Sequence, residues 1–122
     1  MTAPAVELPH PRTDAAREIV AALTAAGLRA TADVRSAVPP CVLVEALPRL
    51  VFGHTLCGEP AATWAIVCLA PAPGTLAAAD VLDALAAAVA AVLDVDDATP
   101  GAYQTGYAAD PLPAYVLSYT TP

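Results

Sequence analysis

The chain reads as an α+β domain, with two helices packed on one face of a mainly antiparallel or mixed sheet of about four to five strands. Three observations predict this. Two segments, TDAAREIVAALTAAG and DVLDALAAAVAAVLD, repeat apolar residues at helical spacing. Four shorter runs, LRATADVR, CVLVEAL, ATWAIVCLA and LPAYVLSYT, alternate or are continuously apolar over strand-like lengths. Proline and glycine fall between these segments or at their ends.

Residues 1–12 hold Pro4, Pro9 and Pro11 and are expected to form an extended arm, because proline removes backbone donors and disfavours helix at the preceding residue. Residues 13–122 are expected to form a single domain. In its first helix Thr13 or Asp14 is the expected cap, and Asp14 and Glu18 suit the positive helix N-terminus. Ala16, Ile19, Val20 and Leu23 make its apolar stripe, and Gly27 supplies the left-handed stop. LRATADVR then alternates, with Ala30, Ala32 and Val34 on one side, which predicts a half-exposed strand. Pro39-Pro40 turns the chain into CVLVEAL, a more buried strand over residues 41–47. Pro48 breaks it, and RLVFGHTLCGEPA continues as a twisted hairpin or a loop. ATWAIVCLA, residues 62–70, is apolar nearly throughout and bracketed by Pro60 and Pro71, which predicts a central strand covered on both faces.

The second helix is predicted over roughly residues 75–93. Leu82, Leu85, Ala86, Val89 and Leu93 form one stripe, and Ala84, Ala87, Ala88 and Ala91 lie away from it with no charge between Asp83 and Asp94. A surface helix normally sets polar residues opposite its core stripe. Two readings of the alanines stand: a strong helix former in an alanine-rich chain, or a smooth face packed on another subunit. DVDDATPGAYQTGYAADP is a long loop or hairpin, and LPAYVLSYTTP, with Tyr115, Leu117 and Tyr119 on one side, is the last strand.

Composition narrows the function classes. Of 122 residues 57% are hydrophobic and 14% charged, yet no apolar run approaches the ~18 residues of a membrane span. The N-terminus has neither a basic start nor an apolar core, so the reading is a soluble, intracellularly made protein without membrane partners. All five bases are arginines, and none follows Arg49, whereas seven acids do. The net charge of -7 therefore belongs to the C-terminal part, and the basic patch needed to grip nucleic acid is missing.

No catalytic or cofactor motif is legible. Ser36 and Ser118 are the only serines and neither sits in GxSxG. His54 and Cys57 lie in a glycine-flanked loop without an orienting third group, and read as an ordinary histidine and thiol. Asp94, Asp96 and Asp97 are followed by ATPG rather than by the further oxygen ligands of a calcium loop, so no metal site is expected. Gly101 and Gly106 lack the Lys-Ser/Thr of a P-loop. Cys41 and Cys68 read as reduced apolar fillers. Trp64 and the tyrosines, without bases around them, read as core or interface residues rather than a base-stacking platform.

Taken in order, the N-terminal helix TDAAREIVAALTAAG, the post-proline strand PPCVLVEAL, the strand TWAIVCLAPAP, the helix DVLDALAAAVAAVLD and the last strand LPAYVLSYT resemble the tail terminator (tail completion) family of long-tailed bacteriophages, over roughly residues 13–120. Arginine in place of lysine, with abundant alanine and proline, resembles products of high-GC genomes such as those of actinobacterial phages. The resemblance implies a structural virion protein, not an enzyme and without cofactor, made in the host cytoplasm and placed at the head–tail junction. It implies a homo-oligomer, a hexameric ring, that caps the tail tube, stops its growth and docks the head-closure or connector protein while DNA passes without tight binding. In such a ring Ala84, Ala87, Ala88, Ala91, Tyr115 and Tyr119 are the expected subunit contacts, the terminal strand lies at a sheet edge, and Asp94, Asp96, Asp97 and Asp110 face the channel. A head-closure (stopper) or other minor tail protein fits the same pattern. The alternative of another class is a monomeric small-ligand or regulatory α+β domain, which mass in solution separates from a ring.

Overall fold

The computed structural model describes residues 12–52, 61–71, 76–104 and 111–121. In chain order these form helix α1 (Arg12–Ala25), strands β1 (Ala30–Thr31), β2 (Cys41–Val44), β3 (Arg49–Val51) and β4 (Ala61–Leu69), helix α2 (Leu76–Val92), and strands β5 (Val95–Tyr103) and β6 (Leu112–Thr121). The fold is α+β, with a six-stranded mixed sheet in the order β1-β2-β4-β6-β5, and β3 also paired to β4. Both helices are present, each segment read as a strand contributes one, and β3 and β5, in segments read as hairpin or loop, raise the strand number above the sequence expectation.

β4 organises the sheet. Its residues Ile66 to Leu69 pair with β2, Ala61 to Thr63 pair with β3 on that same flank, and β6 runs along its whole other flank. β2 and β3 therefore act as two halves of one bent strand. Between the Val44–Ile66 and Arg49–Thr63 pairs the bent strand uses more residues than β4, so residues 45–48 bulge outward before β3 begins.

Side-chain alternation divides the core in two. On one face Val42, Val44, Trp64, Ile66, Cys68 and Leu117 meet Ala16, Ile19 and Leu23 of α1 and Ala78, Leu82 and Val89 of α2. On the other, Cys41, Leu43, Val67, Leu69, Leu112 and Ala114 form a smaller cluster with half-buried Val34, Ala37, Val116 and Tyr103 around it. β4 contributes to both, which explains its nearly unbroken apolar sequence. Both helices lie on the first face, as the two stripes require. Burying each large side chain fully is worth about 1.5–3 kcal/mol.

The local signals hold where the chain needs no distant partner. α1 ends at Gly27, whose φ of 88° is the left-handed conformation that ends a helix, and the Leu28 N–H closes the turn on the Leu23 carbonyl at 3.1 Å. Asp14 sits inside the first turn instead of capping it, and pairs with Arg17 at 3.0 Å on the surface.

Three expectations are corrected. LRATADVR does not run as one strand: Asp33 accepts from the Arg35 backbone N–H and caps a 3-10 turn at Val34–Ser36, so alternation stops after Thr31. That backbone bond, then the Arg35 side chain, holds the Asp33 carboxyl below its ordinary range. The second strand stops at Val44 rather than residue 47. The terminal strand is not at a sheet edge: β6 lies between β4 and β5, paired on both sides. The edge belongs to β5, the segment read as a loop or hairpin, and its Pro100 is tolerated there because an edge strand needs only one row of hydrogen bonds.

Candidate functional site

The surface with most to offer a partner is the margin of the molecule formed by α2 and β5. In α2 the expected core stripe is buried or packed against the core. Ala84, Ala87 and Ala91 are exposed and Ala88 is half-buried. From Ala84 to Val92 no polar side chain interrupts the helix, and Ala90 and Val92 are exposed as well. Leucine or valine on an exposed helix face is ordinary when scattered. Two and a half turns without one polar group are not.

β5 carries the acids. Its register against β6 shifts between the Val95–Tyr119 and Ala98–Leu117 pairs, so Asp96 and Asp97 together stand opposite the single Ser118. Such a bulge bends an edge strand and blunts its pairing. Val95 packs against the helix-covered core, so the bulge residues belong to the opposite face. Asp94, Asp96 and Asp97 are all exposed, and among the described residues the ion pairs are Arg17–Asp14 and Arg35–Asp33, neither of which involves them. Asp110 lies outside the described residues, as do His54 and Cys57.

Tyr115 and Tyr119 are half-buried and pack on the helix-side core, the former paired with Cys68 and the latter with Trp64 across β4. The structure brings neither of them to an open edge. Cys41 and Cys68 are buried free thiols on opposite faces, as their apolar neighbours suggested. Desolvation pushes the Cys68 thiol up to about 12, and raises Cys41 as well.

One interaction escaped the sequence reading. Tyr103 of β5 packs on the second-face cluster with Glu45 near it; burial and then that negative neighbour raise the Tyr103 phenol. They border a cleft of about 380 Å³ shared with Leu43, Leu47 and Asp33. A broader groove of about 740 Å³ runs between α1 and β1, past Arg17, Val20, Ala21, Thr24 and Ala30. Thr31 and Asp33 line it too, so its wall mixes small aliphatic side chains with polar ones. Among the described residues no group of three or more His, Cys, Asp or Glu is placed to hold a metal ion, and no helix is long and apolar enough to cross a membrane.

No family model matches the chain, and no curated protein or solved structure matches it.

Proposed function

We propose that this protein is a structural component of a phage virion, a tail terminator whose copies form a ring on the end of the tail tube and join the tail to the head connector. The observation that carries the reading is the exposed, uncharged face of α2 from Ala84 to Val92. Small side chains let a neighbouring subunit approach closely and lose little conformational entropy when they are covered. The architecture suits the role in a second respect. Where the second sheet face lacks the apolar cluster it presents Thr63, Ala65, Ser118 and Thr120, with Thr63 and Thr120 sharing a hydrogen bond of 3.2 Å. Turned toward a lumen and bordered by Asp94, Asp96 and Asp97, that surface is a polar wall on which the three aspartates outnumber Arg49, which shares the face beside Thr63. A negative wall repels DNA and denies it the counterion-releasing contacts that cause adhesion.

Native mass spectrometry and sedimentation velocity test the reading directly. The wild-type protein is expected to form a closed ring at micromolar concentration, and Ala87→Arg to remain a folded monomer, because position 87 is exposed and the substitution loads only the contact. Added to polymerising tail tube protein of the same phage, the wild type should limit tube length. A strictly monomeric wild type, or tubes that grow equally long in its presence, would overturn the proposal.

A further inference from the structure

The two free margins of the sheet match each other in direction, height and charge. Among the described residues nothing pairs with the outer edge of β5, and nothing pairs with the outer edge of β3, since β1 covers β2 only beside Val42 and Leu43. β3 is antiparallel to β4, whereas β5, antiparallel to β6, runs in the β4 direction. A second copy continuing the sheet therefore sets its β3 antiparallel to β5 of the first, a pairing any sheet accepts.

The rows also align. Arg49 pairs with Thr63, and Thr63 with Thr120. Asp94 immediately precedes β5 and its Val95–Tyr119 pair, and the Asp96–Asp97 bulge stands beside Ser118, two residues along β6 from the Thr120 row. Arg49 shares its face with Thr63, and the bulge shares that same face. Arg49 is exposed and is the last basic residue of the chain. Beside it the β3 margin leaves Leu50 exposed and Phe52 70% exposed, large apolar surface that a lone domain seldom leaves at an open edge.

We propose that copies of this chain join head to tail by sheet extension, β5 of one protomer receiving β3 of the next, with Arg49 set among Asp94, Asp96 and Asp97. The occupant of both edges is a second copy of this chain, and the identification rests on the ring reading above. Such a contact is heterologous: each copy uses one edge as donor and the other as acceptor, and a constant rotation per copy closes a ring. Three aspartates meet one arginine, so every junction keeps the net negative charge that the lumen wall requires. The bulge has a use in this arrangement, since it bends the edge and admits only a strand of matching curvature and charge.

Charge exchange tests the contact. Arg49→Glu should weaken assembly about tenfold or more, as should Asp96→Lys with Asp97→Lys, since like charges then oppose across the junction. The triple variant carrying all three changes should recover the ring, and an equimolar mixture of the two defective proteins should form rings of alternating subunits. All these side chains are exposed, and circular dichroism with Trp64 emission checks that the variants fold. As a second measurement, Arg49→Cys with Asp96→Cys in a Cys57→Ser background should give covalent oligomers on oxidation, and neither cysteine alone should. A wild-type ring that tolerates both charge reversals and gives no cross-link would overturn this contact and leave the ring reading standing. A wild type that never assembles would overturn both.

Discussion

Leu117→Ala removes the side chain on which the β6 placement most depends. Leu117 is 1% exposed, faces the helices, and pairs with Ile66 on one flank and Ala98 on the other. Strands on both flanks and helices above leave little freedom for the site to collapse, so the substitution should create a cavity. Buried Leu→Ala changes cost about 2–5 kcal/mol, a large part of the roughly 5–15 kcal/mol by which a domain is stable. For a chain of this length each kcal/mol moves the midpoint by about 3–6 °C, so a fall of roughly 6–30 °C is expected. Trp64 is the only tryptophan and fully buried, so its emission should shift to the red on unfolding and report the transition. Ser118→Ala is the internal control, on the other face and only half-buried, and should change stability by less than about 0.5 kcal/mol. If both variants melt with the wild type, Leu117 is not in the core and the central position of β6 is wrong.

Deleting residues 114–122 should give an insoluble or non-cooperative chain, since it strips the partner from both β4 and β5; a soluble truncation with a sharp melting transition would show β6 to be dispensable. The raised thiols and phenol set an alkaline limit. Below about pH 9 Cys68 is protonated folded and unfolded alike, and its contribution is fully present; as pH rises toward 12 the unfolded chain releases the proton first and stability declines, at about 1.4 kcal/mol per pH unit for that group. Cys41 and, from about pH 10, Tyr103 act in the same direction. Chemical denaturation across pH 8 to 11 should therefore show a falling midpoint that Cys68→Ala flattens, and an unchanged slope in that variant would contradict the assignment. In a Cys57→Ser background, a thiol reagent at neutral pH should label the protein only on unfolding.

What the sequence determined by itself was local and periodic. Ala16, Ile19 and Leu23, then Leu82 and Val89, announce helices because residues three and four apart share a face whatever the rest of the chain does. The apolar run of β4 announces burial on both faces, Gly27 announces a helix stop, and Cys41 and Cys68 announce their burial through the residues around them. The tertiary structure decided pairing and order, because a strand acquires its partner only across the chain. Thr63 and Thr120 share a hydrogen bond from 57 positions apart, and nothing near either residue encodes the other. The same reason hid β5: VDDATPGAY has acids, a proline and a glycine, poor strand formers that are tolerated on an edge once β6 supplies one row of hydrogen bonds. It also turned β6 from an expected edge into the middle of the sheet, so the open margin passed to β5 and its two aspartates, with Asp94 just before them. Charge asymmetry was written in the sequence after Arg49; that the acids of β5 stand within two residues of the height of Arg49 and on the same face, at the opposite margin of the sheet, follows only from the register of four strands.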